Sequence, residues 1–216
     1  MRPASITELP GVIAVFPLPG VLLLPFGRLP LNIFEPRYLA MTRDALAGDR
    51  LIGMIQPEDP ESPARNPPLY RVGCAGRITS FTETDDNRFL ITLTGLCRFE
   101  TAGELPLKDG YRRVRVDWSR FAADMRTIDS AKVPRARLMP ALREYFRVHS
   151  IRADWTSIEA APSDALLTSL AMACPFDARE KQALLETDGI AARAELMISL
   201  LTMSVLDHGG PEPTVN

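Results

Sequence analysis

Apolar runs separated by turn residues dominate the first part of the sequence. Val12 to Phe16 is a short apolar run between a glycine and a proline, which is typical of a buried strand. A second apolar run, Val21 to Phe34, is interrupted by Pro25, Gly27 and Pro30. Because each proline would remove a ladder hydrogen bond from a central strand, we expect this run to lie at a sheet edge or to bend through bulges.

A helix is predicted directly after this second run. Pro36 suits the first turn of a helix, where no N–H partner is needed, and Gly48 is a suitable C-cap, so the helix spans about residues 36–47. Leu51 to Ile55 follows as another apolar strand. Alternating patterns then predict three more strands, at Tyr70–Phe81, Arg88–Thr94 and Tyr111–Trp118. Short strands at this spacing indicate a small closed or partly closed barrel.

The strand at Tyr70–Phe81 is predicted to have one buried and one exposed face. One face carries Tyr70, Val72, Cys74, Gly76 and Ile78, and the other carries Arg71, Gly73, Ala75, Arg77 and Thr79. We therefore expect the second face, which includes Gly73 and Ala75, to face water.

Helical periodicity replaces the strand pattern after about Met125. Apolar residues recur at helical spacing, an Asp177-x-x-Glu180 capping arrangement precedes one helix, and the last helix runs from Ile190 to about Leu206. The predicted class is α+β, with a β-barrel lobe over residues 1–125 that includes the helix at about 36–47. A helical lobe follows over 126–209, with a tail at 210–216.

Several ordered segments of the chain resemble the Lon amino-terminal (substrate-binding) domain family. They are FPLPGVLLLPFGRLPLNIFEPRYLAMTRDALAGDRLIGMIQP, LYRVGCAGRI, LTGLCRF and, near the end, SLAMACPFDAREKQALLETDGIAARAELMISLL. The resemblance covers most of the chain. It implies a PUA-like small β-barrel followed by a C-terminal α-helical bundle, and a role in recognising polypeptides.

Composition and charge limit the partners and the cellular compartment that the sequence suggests. The formal net charge of −2 gives no overall electrostatic reason to expect nucleic acid or an acidic membrane as a partner. The three cysteines are far apart without CxxC spacing, which suits a reducing compartment and small core residues. Prolines interrupt Val12 to Phe34 too often for a spanning helix or a secretory signal. We expect a cytoplasmic protein with no membrane association.

The sequence offers no catalytic residues, metal ligands or cofactor site. It has no glycine-rich loop ending in GK[ST], so it lacks the ATPase P-loop of full-length Lon. No serine lies in a glycine-rich elbow, and Lys181 is expected on an exposed helix face, so the Ser–Lys pair of the Lon protease domain is also missing. His149 and His208 are the only histidines, and packing or capping suits His149 better than catalysis. We expect a non-enzymatic protein.

Two surfaces are candidates for binding. The first is Pro25, Phe26, Arg28 and Leu29 in the proline-broken run, where exposed apolar side chains would suit polypeptide. The sequence also permits Phe26 and Leu29 to be core residues. The second candidate is an outward set of arginines on the barrel that would suit RNA: Arg71, Arg77, Arg113 and Arg115.

The leading hypothesis is a polypeptide-binding module that recognises unfolded or apolar segments or a protein partner and serves as an adaptor in protein quality control. The alternative is an RNA-binding PUA-like module that uses the outward arginines. Nucleic acid is disfavoured by nearby Asp109 and Asp117 and by the absence of interleaved aromatic residues. A small-molecule pocket has no sequence support. The sequence leaves the oligomeric state, the pathway and the identity of the partner open.

Overall fold

The computed structural model describes the backbone of residues 5–126 and 130–209, and side chains over 5–126 and 131–207. The predicted tail at 210–216 and the side chain of His208 lie outside the described residues. The six strands are β1 (Val12–Pro17), β2 (Arg28–Ile33), β3 (Leu51–Ile55), β4 (Val72–Glu83), β5 (Phe89–Lys108) and β6 (Tyr111–Asp117). The six α-helices of the described residues are α1 (Pro36–Ala47), α2 (Arg135–Val148), α3 (Trp155–Ala160), α4 (Ser163–Ala173), α5 (Ala178–Glu186) and α6 (Ile190–Gly209).

The long strand β5 closes the sheet into a barrel. The strand order is β2-β5-β4-β3-β1-β6, and β5 also pairs with β6, so strands β5, β4, β3, β1 and β6 form a closed ring. The first part of β5 pairs with β2 and β4, and its last part pairs with β6. Only the β1–β3 pair is parallel among the described strand pairs. The predicted barrel is confirmed, and β2 is an edge strand, as its prolines predict.

The prediction that one face of β4 is exposed is wrong for its first half. Val72 to Gly76 are all buried, including Gly73 and Ala75. Gly73 lies in the barrel interior, where a Cβ atom would touch the Phe99 ring and the Met54 carbonyl. The opposite side of β4 contacts α5, whose Gln182 side chain donates to the Val72 carbonyl at 3.1 Å. A strand packed on both faces loses the alternation of polar and apolar residues.

The structure divides into two compact units. The first consists of Met1–Thr127 and Met172–Glu186, and the second of Ile128–Ala171 and Thr187–Asn216. Helix α5 therefore belongs with the barrel, whereas the sequence places its residues in the helical lobe. Gln56 donates to the Ala178 carbonyl at 2.9 Å, and Arg98 donates to the Leu185 carbonyl at 2.9 Å.

Lys181 corrects a second expectation, since its side chain is buried and not on an exposed helix face. Only 8% of the residue is exposed. Its ammonium group donates to the Gly20 carbonyl at 2.8 Å, and burial lowers the pKa of Lys181. The charge-rich sequence around Lys181 conceals this contact because it depends on a residue 161 positions away.

Arg98, from the LTGLCRF segment, forms a buried ion pair with Asp124. The Arg98 Nε lies 2.8 Å from Asp124 Oδ2, and the guanidinium group stacks 4.2 Å from the centre of the Phe121 ring. Its neighbour Phe99 is fully buried and packs against Trp118 inside the barrel. These two motif residues therefore hold the fold together.

The second unit is helical. Helices α2 and α6 pack together, and Arg135 at the start of α2 donates to the Ala161 carbonyl at 2.9 Å. His149 is the C-cap residue of α2, and its ring packs 4.2 Å from Tyr145 and is hydrogen-bonded to Ser204. This arrangement fits the packing and capping role predicted for His149.

Candidate functional site

A tight turn precedes the edge strand β2. The Gly27 N–H donates to the Leu24 carbonyl at 2.9 Å, and Pro25 and Phe26 are the two central residues. Phe26 has φ of +68°, which together with Pro25 gives the arrangement of a type II turn. Glycine or asparagine is the usual residue at the third position of such a turn, because only these residues adopt positive φ without appreciable strain.

A β-bulge at Gly95 fixes the position of this turn. Phe26 donates to the Gly95 carbonyl at 2.9 Å, and Gly95 donates to the Gly27 carbonyl at 2.8 Å, so two residues lie opposite one. The first residue of a bulge with this αL conformation is characteristically glycine. A Cβ atom on Gly95 would overlap the Leu24 carbonyl oxygen, so the close approach requires glycine on β5.

Phe26 therefore occupies a position that favours glycine twice, as a turn residue and as a bulge residue. The αL conformation costs a residue with a Cβ atom about 1–2 kcal/mol. Phe26 is 42% exposed, so part of its ring is available to a partner molecule. A strained conformation kept at an exposed aromatic residue is the kind of observation that points to function.

The surface continues along β2 as a row of exposed residues that alternates with inward ones. We call this row the β2 edge surface; its exposed members are Phe26, Arg28, Pro30, Asn32 and Phe34. On the inward side, Leu29, Leu31 and Ile33 lie opposite Leu93, Ile91 and Phe89 of β5. Of the four residues predicted from sequence, Phe26 and Arg28 are exposed, Leu29 is partly exposed and Pro25 is buried.

Two apolar residues beyond the predicted four extend the surface. Phe34 is 60% exposed at the end of β2, and Leu90, which lies opposite Asn32, is 46% exposed. The sequence could have revealed Leu90, because Phe89, Ile91 and Leu93 of β5 point inward and the residues between them must point outward. Phe34 carries no comparable signal, since it follows the last strand residue.

The four arginines of the nucleic-acid alternative lie in different surroundings. Arg71 and Arg115 are exposed, whereas Arg77 and Arg113 are partly buried. Arg77 is on β4 and Arg113 and Arg115 are on β6, and these strands are not neighbours in the ring. Arg71 directly precedes β4, so the four residues lie in two separate places on the barrel, around β4 and on β6.

Arg113 lies within a cluster of mixed charge. Asp44 accepts a hydrogen bond from the Tyr111 hydroxyl at 2.6 Å and is paired with Lys108 at 2.7 Å. These two hydrogen bonds hold the pKa of Asp44 below its usual value, and the charge of Arg113 adds to the effect. Part of the positive charge at this place is thus balanced within the protein.

A cavity of about 180 Å³ lies near Tyr38, Tyr111 and Arg112. Arg112 points its three donor nitrogens at protein acceptors, since it is paired with Glu104 and donates to the Pro67 carbonyl at 2.6 Å. The arrangement accounts for Arg112 as a structural residue of this cavity.

The cysteines are poorly suited to nucleophilic chemistry. Cys74, Cys97 and Cys174 are all buried. Burial raises the pKa of the Cys174 thiol to about 11 and that of Cys74 well above its usual value, so both thiols remain protonated at neutral pH. Within the described ranges, no three His, Cys, Asp or Glu side chains are grouped so that they could hold a metal ion. Nor does any helix there have the length and apolar character needed to cross a membrane.

The sequence from residue 12 to residue 203 matches the profile of the ATP-dependent protease La (LON) substrate-binding domain. The chain belongs to this family. A relative with a known name is Lon protease 2 of Myxococcus xanthus, which is 28% identical over 204 residues. That alignment covers 90% of the chain but 24% of the relative. The chain thus spans about a quarter of the length of this Lon protease.

Solved structures of Lon amino-terminal domains share the fold. The N-terminal domain of Mycobacterium avium complex Lon protease matches with a TM-score of 0.62 at 15% identity, covering 91% of the chain and 99% of that structure. A Lon N-terminal domain protein from Xanthomonas campestris matches with a TM-score of 0.59 at 20% identity, covering 88% of the chain and 97% of that structure. The family resemblance read from sequence and the α+β fold class are both confirmed.

The match to the Lon substrate-binding family includes the whole β2 edge surface, since it begins at residue 12. The matched model is that of a substrate-binding domain.

Proposed function

We propose that this Lon-type domain binds unfolded or apolar polypeptide segments through the β2 edge surface and acts as an adaptor in cytoplasmic protein quality control. The observation that carries the proposal is Phe26, an exposed aromatic residue held at φ of +68° where glycine would be unstrained. A partly exposed aromatic ring at a strained backbone position is a candidate contact for a partner molecule.

The chemistry of the surface suits an unfolded segment. Phe26 and Phe34 lie at its two ends, with Leu90 on the adjacent strand, so apolar groups are distributed along the length of β2. Arg28 and Asn32 between them supply polar groups. An unfolded chain offers apolar side chains on an extended, hydrogen-bonding backbone, and this combination matches a long, narrow surface better than a compact ligand would.

The proposal can be tested with a fluorescently labelled, permanently unfolded polypeptide and anisotropy measurements. Phe26→Asp should weaken binding about tenfold or more, since a charge replaces an apolar anchor. Leu107→Asp is the matched control, because Leu107 is 47% exposed but lies at the far end of β5. Binding within about twofold of the parent is expected for this control. Equal losses in both variants, or no loss in either, would count against the β2 edge surface.

A parallel titration with single-stranded RNA addresses the alternative function. Salt-dependent RNA binding that is lost when Arg71, Arg77, Arg113 and Arg115 are replaced by glutamate would favour the nucleic-acid module. The polypeptide proposal predicts that a variant with Arg71, Arg113 and Arg115 replaced by glutamate, and with Arg77 retained, keeps most of its affinity for the unfolded chain.

A further inference from the structure

The outer edge of β2 presents backbone groups that no other described strand covers. Gly95 donates to the Gly27 carbonyl, which sets the phase of the antiparallel ladder. In an antiparallel ladder, hydrogen-bonded pairs alternate with pairs that are not hydrogen-bonded to each other. The pairs of the second kind are Arg28/Thr94, Pro30/Thr92 and Asn32/Leu90, whose N–H and C=O groups point away from each other. Arg28, Pro30 and Asn32 therefore direct their backbone groups outward from β2.

Pro30 removes one donor from this outer edge but leaves the others in place. Arg28 and Asn32 each offer an N–H and a C=O, and Pro30 offers a C=O alone. All three residues are exposed, and the register leaves the N–H groups of Arg28 and Asn32 without a partner on β5. Proline on an edge strand usually limits pairing with other chains. Here it interrupts the edge at one point and leaves a donor on each side.

Positive charge is concentrated at one end of the same edge. Arg28 lies opposite Thr94 on β5, and Thr94 lies opposite Arg77 on β4, so the two arginines flank one threonine across three strands. Neighbouring strands are about 4.8 Å apart, which places the two arginine Cα atoms about 10 Å from each other. Neither arginine forms an ion pair within the described part of the chain, and Arg77 Nε is buried without a hydrogen-bond partner.

We propose that the polypeptide bound by this domain pairs as an additional β-strand with the outer edge of β2, and that it places an acidic side chain at the Arg28 end. The inference rests on the proposed function and specifies its binding mode. Main-chain hydrogen bonds would supply affinity that does not depend on sequence, as expected for a receptor of many unfolded segments. Arg28 lies beside the added strand and would select segments with an acidic residue next to an extended apolar stretch, and Arg77 adds positive charge further across the sheet.

The test uses a short fluorescent peptide of alternating valine and threonine residues with one glutamate at its end. One version carries the glutamate at the amino terminus and the other carries it at the carboxyl terminus. N-methylation at successive positions of the tighter peptide should weaken binding with a period of two, by about tenfold at the positions that point at β2. N-methylation that weakens binding equally at every position, or at none, would overturn the strand-pairing proposal.

Two reciprocal variants act on the edge without touching the β2–β5 ladder. Asn32→Pro removes an N–H donor that points away from β5, and Pro30 already lacks such a donor. The change should weaken polypeptide binding about fivefold to tenfold. Pro30→Ala restores a donor and should tighten binding by a similar factor when measured on the monomer. Circular dichroism and thermal unfolding would check that both variants are folded. If both folded variants bind like the parent, strand pairing is wrong.

A charge exchange tests the acidic end. Arg28→Glu should lower the affinity for the glutamate peptide, and a peptide with lysine in place of glutamate should recover the loss. If the Phe26→Asp variant loses affinity while N-methylation, the edge variants and the charge exchange have no effect, the polypeptide proposal stands and the strand-pairing mode fails. If Phe26→Asp also has no effect, both fail.

Discussion

At the scale of single residues, Phe26 links the fold to the proposed function. Its φ of +68° is set by the turn that begins at Leu24 and by the bulge opposite Gly95. The residue is 42% exposed, so part of the ring is available to a partner molecule. Backbone strain alone would favour glycine or asparagine at this position.

We predict that Phe26→Asn stabilises the domain while it weakens polypeptide binding. Asparagine tolerates the αL conformation, so the free energy of unfolding should rise by about 0.5–1 kcal/mol. Urea unfolding followed by circular dichroism measures this change. Phe34→Asn is the matched control: Phe34 is also exposed but does not have positive φ, and no gain in stability is expected there. A Phe26→Asn variant that is less stable than the parent would refute the strain argument.

At the scale of elements, β2 and β5 define the candidate surface together. Gly95 allows the Leu24 carbonyl to approach β5, and this contact positions the turn from which β2 begins. The edge position of β2 follows from its prolines and is visible in the sequence. The length of β5, Phe89–Lys108, is not visible, because Gly95 and Gly103 interrupt its pattern and the sequence divides it.

We expect Gly95→Ala to displace the turn before β2. The new methyl group would overlap the Leu24 carbonyl oxygen, so the variant should be destabilised by about 3 kcal/mol and should also bind polypeptide more weakly. Thermal unfolding and anisotropy measure the two effects. Gly11→Ala serves as the control, since no atom lies within 4 Å of a Cβ atom at that position. A fully stable Gly95→Ala variant would show that the turn is not held against β5.

At the scale of the whole molecule, the sequence predicts the class of fold better than the boundaries of its units. The barrel follows from short alternating strands, and the family resemblance is carried by ordered motifs. The assignment of α5 to the barrel depends on contacts such as Arg98 with Leu185 and Gln56 with Ala178, which are separated by 87 and 122 positions. Local periodicity contains no information about such distant pairs.

The same limit applies to the candidate surface. Sequence reasoning named Phe26 and Arg28, which are exposed, because prolines at an edge favour exposure. It could not reveal the positive φ of Phe26, since that angle depends on hydrogen bonds to Gly95 on a strand about seventy residues later. Nor could it show that Arg28 and Arg77 flank Thr94, which depends on the register of three strands.

The most direct test of the central claim is an NMR titration of the isotope-labelled protein with an unlabelled, permanently unfolded polypeptide. The account predicts that the largest amide shift changes fall on residues 26–34 and on the facing residues 89–95 of β5. Shift changes concentrated at the cavity beside Tyr38 and Arg112, or in the helical unit, would contradict the claim that the β2 edge surface binds polypeptide.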